Sequence, residues 1–216
     1  MSTHSKRADP PLARELARLM QNAFGDLLRE AAQAENAPPL KVTPAAQPIA
    51  PARLAATHPG GPKARAEAQQ LYLKCLRYYR SQVQPVATRQ APAVPDTDEV
   101  STAAAYFALA NLACLQPHLQ PDEQQLALVA RQLRRLIGSS EAWTQANEAG
   151  RQLLFEQFAI IGVLINESRV QAATQGAAAQ LNLQRAARNY LVQMLGLDPD
   201  LLAVGTEGLQ TPTTVH

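Results

Sequence analysis

The sequence predicts an all-α fold: a compact bundle of about five helices around a buried central helix, with a tethered amphipathic helix ahead of it. Three observations lead there. The octapeptide FAIIGVLI, Phe158–Ile165, has no charged or hydrogen-bonding side chain on any face, so as a helix it must be surrounded by protein. It is far too short to span a bilayer, which takes roughly 20 apolar residues, and Glu156, Gln157, Asn166 and Glu167 close it at both ends. Second, Ala, Leu, Gln, Arg and Glu dominate the periodic stretches, while aromatic residues make up 5% of the chain and glycines number 10, a balance that favours helix over sheet. Third, prolines and capping residues divide the chain at helix-length intervals.

The elements follow in order. Residues 12–28 have amphipathic helical spacing through Leu12, Leu16, Leu19, Met20, Ala23, Phe24, Leu27 and Leu28, with charges of both signs opposite. A membrane-surface helix usually has a mainly basic polar face, so a protein groove is the better destination, with docking on its own domain as the alternative. Residues 36–62 hold seven prolines and Gly60-Gly61 and read as an extended linker between an N-terminal segment, 1–35, and a bundle domain, 63–202. Lys63–Val83 reads as a helix with apolar rows Leu71/Cys75/Tyr78 and Tyr72/Leu76/Tyr79/Val83 turned toward the core, and Pro85–Pro95 as a second break.

Asp96, with Glu99 three positions on, is placed to cap a helix running to Leu115. Pro121, at a first helical position, opens the next, with Leu126, Val129, Ala130, Leu133, Leu136 and Ile137 as its buried stripe and Gly138 as its stop. Ser139 or Ser140 starts a short turn that holds Trp143, and Asn147 caps the central helix, which ends before Gly176. The last helix runs from about Ala177 to Leu195, with Leu181, Leu183, Ala187, Leu191 and Met194 inward. Gly196-Leu197 then has the form of a left-handed cap. Residues 203–216 read as a polar, frayed tail.

Charge narrows the functional classes. The formal net charge of +2 is too small to imply nucleic acid, yet residues 41–95 carry eight positive and one negative charge while residues 96–216 carry seven and twelve. Attraction between these two segments of one chain explains this without an outside partner. Basic residues interleaved with tyrosines over 63–80 keep a nucleic-acid surface as an alternative.

Cys75 and Cys114 lack metal-ligand spacing, the four histidines have no paired spacing, and no familiar hydrolase, nucleotide or calcium motif occurs, so neither a cofactor nor a metal is expected. Glu156, two residues before the apolar octapeptide, is the one acid placed for burial. It is expected to pair with Arg151, an arginine of 131–135, or the amides Gln132 and Gln152; an acid–base role in an interhelical pocket is the enzymatic alternative. The opening residues lack an apolar signal segment, which reads as cytoplasmic, with a periplasmic or secreted destination if a leader once preceded them.

The segments AAAYFALANLA, LVARQLRRLI, RQLLFEQFAIIGVLI and LGLDPDLL resemble, over about residues 98–202, a bacterial all-helical family of unknown function; LKVTPAAQ at Leu40–Gln47 echoes an upstream stretch of it. The resemblance implies architecture and no activity. The expected function is therefore non-enzymatic binding of another protein, of accessory, adaptor or immunity type, with Leu12, Leu16, Leu19, Phe24 and Leu27 as candidate contacts.

Overall fold

The computed structural model describes residues 37–87 and 98–211, with Val86 and Ala87 by backbone alone. The amphipathic segment, with Leu12, Leu16, Leu19, Phe24 and Leu27, lies outside the described residues, as does Asp96.

The chain enters through β1 (Lys41–Val42) and the short helix α1 (Ala50–Ala56), then α2 (Pro62–Tyr78). It resumes at β2 (Asp98–Glu99), followed by α3 (Val100–Leu115), α4 (Glu123–Gly138), α5 (Glu141–Gln145), α6 (Glu148–Gln175) and α7 (Ala177–Tyr190). A hairpin of β3 (Ala203–Gly205) and β4 (Gly208–Gln210) follows. Five of these helices exceed ten residues, and the sheet among the described residues is two antiparallel ladders of two strands each, one with Lys41 opposite Glu99 and one with Val204 opposite Leu209. The fold is all-α, as the composition predicts.

The centre is a pair of helices. Phe158–Ile165 of α6 is enclosed on every side, Leu164 alone being partly exposed. It crosses α3, which is itself buried from Val100 to Cys114 except at Tyr106. The sequence singles out one enclosed helix, whereas the structure has two, because the alanines of AAAYFALANLA let neighbours approach every face of α3. Gly162 sets the crossing distance: a Cβ there would lie 2.8 Å from the Tyr106 ring and 3.2 Å from the Phe107 Cα. Phe107 and Phe158 meet beside it with ring centres 5.2 Å apart.

Most helix ends fall where the punctuation puts them. Ser140 and Asn147 accept from Trp143 N and Gly150 N, and Gly196 is left-handed at φ 64°. Three ends differ. Glu99 is itself the cap of α3, its carboxylate accepting from Thr102 N. Asp122, not Pro121, begins α4, in a reciprocal box with Gln125. After Tyr78 the helix widens over Tyr79–Val83 and continues to Ala87, because Pro85 lacks the N–H that would close a regular turn.

The larger corrections concern what surrounds the bundle. Residues 36–62, expected as a linker, carry α1 and bury Leu40, Val42 and Ala50 in the core. Prolines kept the segment from forming long helix without keeping it off the body. The supposed frayed tail forms the β3–β4 hairpin, with Leu209 buried. Leu71, Tyr78 and Leu181, expected inward, are 49%, 45% and 48% exposed. Tyr79 and Leu76 fill the core side of α2 instead, because the apolar rows together are wider than the face α2 buries.

Candidate functional site

Glu156 is completely buried, and both its oxygens are occupied. Oε2 accepts from the backbone N–H groups of Ile49 and Ala50 at 2.7 Å each, and Oε1 accepts from Gln152 Nε2 at 2.7 Å. Ile49 is the N-cap of α1 and has no side-chain cap of its own, so a carboxylate 107 residues downstream supplies it. The positive end of α1 favours that charge. Of the expected partners Gln152 is the one found. Arg151 instead donates to the carbonyl of Trp143 and lies over its indole ring.

Gln132, also buried, does something else. Its Nε2 donates to Leu209 O at 2.9 Å and its Oε1 accepts from Leu209 N at 2.7 Å, so one side-chain amide takes the place of a neighbouring strand for β4. Gly208 makes room for it. Its φ is +99°, and a Cβ there would lie within van der Waals overlap of the Gln132 amide.

A third polar group was not singled out from the sequence. Glu99 accepts from Leu40 N at 3.1 Å, from Thr102 N and from the Ser101 and Thr102 hydroxyls, with Arg134 3.4 Å away. Its neighbour Asp98 is held by the Arg80 guanidinium, Nε at 3.1 Å from Oδ1. Burial raises the Asp98 pKa above the ordinary 3.8, with Arg80 pulling against it. The sequence signals were the spacing of Glu99 from Asp96, which put it at this helix start in another role, and the Glu99-Val100-Ser101-Thr102 run, in which an acid and two hydroxyls compete for one cap.

Glu156, fully buried with both oxygens bonded, lacks the exposure its acid–base alternative requires. Cys75 and Cys114 are free and buried, and burial raises both thiols to about 11, so neither is a ready nucleophile near neutral pH. Among the described residues no grouping of side chains could hold a metal ion, and no helix is long and apolar enough to cross a membrane.

What remains is surface. On α2, Leu71 and Tyr78 lie two turns apart on one face with Lys74 between them. Lys63, Arg65 and Arg77 are exposed along the same helix against one acid, Glu67. Val170 of α6, the helix that packs on α2, is 61% exposed as well. Tyr72 and Tyr79 turn away from this face, and Arg80 is taken by Asp98, which leaves one exposed ring and fewer free cations than the 63–80 pattern suggests. A separate groove of about 360 Å³ lies between the end of α3, α7 and the turn Pro199–Leu201.

With this arrangement in view, the comparison with known families finds that the model of a family of unknown function, DUF6683, fits residues 3–212. The chain belongs to that family. No curated protein and no solved structure matches. The family match reaches well beyond the 98–202 resemblance and takes in both the strap formed by Leu40–Ala56 and the terminal hairpin. In family terms, therefore, the unit includes the two pieces that Glu156, Glu99 and Gln132 fasten to the bundle.

Proposed function

We propose that the protein is a non-enzymatic binding module whose partner is another protein, docked along the outer face of α2 and the adjoining edge of α6. The observation that carries this is the pair Leu71 and Tyr78, large apolar side chains left wet two turns apart on one face of α2, with Val170 exposed on the helix packed against it. Aromatic and aliphatic anchors flanked by cations are what a protein interface uses, tyrosine above all. An accessory, adaptor or immunity-type role fits such a build by analogy alone. The segment 12–28 remains a second candidate contact. Nucleic acid is the lesser reading, because one exposed tyrosine offers little stacking.

The test places a photo-crosslinking residue at position 78 of the full chain, with position 124 on α4 as control. A protein adduct specific to position 78 and lost with Leu71→Glu supports the proposal; equal adducts at both positions, or none, overturn it. Truncation of residues 1–35, which spares Leu40 and its bond to Glu99, asks whether 12–28 contributes. Heparin retention that falls steeply with salt would favour nucleic acid instead.

A further inference from the structure

The groove beside α7 has a mixed lining. Leu115, Leu181 and Pro199 are its apolar side chains, beside the amides Gln116 and Gln184, and Arg185 and Arg188 stand one turn apart on its α7 rim with Asp200 facing Arg188. Arg188 is occupied. It grips the Asp200 carboxylate in a two-bond fork, Nη1 to Oδ2 at 2.7 Å and Nη2 to Oδ1 at 2.9 Å. Asp198 holds the Asp200 backbone N–H at 3.0 Å, so this acid is fixed where it meets the rim. Arg185 borders the same groove and has no acidic partner among the described residues.

We propose that this groove binds an acidic–aliphatic segment of a protein partner, its carboxylate on Arg185 and its aliphatic side chain on Leu115 and Leu181. The Arg188–Asp200 fork shows the recognition in miniature: the rim already seats one carboxylate of the chain's own, and the next guanidinium along is left for another. A volume of about 360 Å³ takes one or two side chains rather than a whole helix, so the occupant is a short motif. The apolar part of the lining argues against bare phosphate, which would leave Leu115 and Leu181 as wet as before. The site is independent of the α2 face: it lies on other elements and calls for the opposite balance, one charge over an apolar seat.

The experiment is an NMR titration of the full chain with the blocked tetrapeptide Ac-Ala-Leu-Asp-Ala-NH2, its Asp-to-Asn counterpart, and inorganic phosphate. Saturable shifts at Leu115, Leu181 and Arg185 are expected with the acidic peptide. Affinity should fall about threefold to fivefold for the Asn peptide and for Arg185→Gln, the size of an exposed ion pair, and largely survive Arg185→Lys. Asp200→Asn, which frees Arg188, should tighten binding about twofold. All three changes are on the surface, and an unchanged spectrum elsewhere confirms the fold. Equal affinity for the Asp and Asn peptides, indifference to Arg185→Gln, or shifts from phosphate alone would overturn the proposal.

Discussion

Two short ladders sit at different places on the bundle, and they are fastened by different chemistry. The strap of β1 and α1 is held by carboxylates, Glu99 on Leu40 N and Glu156 on Ile49 N and Ala50 N. The β3–β4 hairpin is held by a neutral amide, Gln132, which gives one hydrogen bond to Leu209 and takes one back. A carboxylate only accepts, so it suits a helix start, where N–H groups lack partners; an amide does both, so it suits a strand edge, where N–H and C=O alternate. Side-chain type thus follows the kind of backbone it must complete. The strap end should consequently depend on a buried charged side chain, and the hairpin end on a neutral one.

The largest effect expected is at Glu156. Glu156→Leu strands two strap N–H groups and the Gln152 amide in the core, costing about 3–5 kcal/mol in urea unfolding and releasing the Ile49 and Ala50 amides to rapid hydrogen exchange. Glu156→Gln should cost less, since its one oxygen still serves the strap while its amino group faces a reoriented Gln152. Equal losses for the two variants would mean that packing, not hydrogen bonding, holds the strap. Gly162→Val comes next, at about 2–3 kcal/mol, because the Tyr106 ring and the Phe107 backbone leave no room for a branched side chain. It should weaken protection at both ends alike, which makes it the control. Gln132→Leu is expected to cost about 1–3 kcal/mol, with exchange confined to β4. Opening of the strap in that variant would join what the comparison separates.

Asp98 gives the smallest effect, and one that depends on pH. Its folded pKa is raised, chiefly by burial, so between 3.8 and that higher value the folded state holds more proton than the unfolded one. Stability from this group therefore rises as pH falls through that window, and is lost as pH climbs above it. The margin of wild type over Asp98→Asn should be wider at pH 4 than at pH 7, while the same pair of measurements on Gln132→Leu should show no such change.

How far the sequence foretold this is a matter of which signals are local. The enclosed octapeptide, the Ser140, Asn147 and Gly196 boundaries and the burial of Glu156 all followed from residues a few positions apart. The Glu156–Gln152 bond could be named because it spans one helical turn. The strap could not. Its anchors lie 59, 106 and 107 positions away along the chain, and prolines that mark a linker mark a fitted strap equally well. The α2 face was misread for another local reason: two adjacent apolar rows do not say which of them meets the body. The groove beside α7 was unreadable, since its walls come from three separate elements.

The hold that Glu156 has on the strap reaches past Ile49 and Ala50 as residue types, because what it grips is main chain that any pair of non-proline residues would present. Substitution at the half-covered position 49 can therefore proceed without disturbing the bond, whereas Glu156 has no such latitude. A fastening of this kind writes its signature on one side only, so that a search for residues changing in concert would pass over it; inserting or deleting a residue between Leu40 and Ala50 is the change that would expose it.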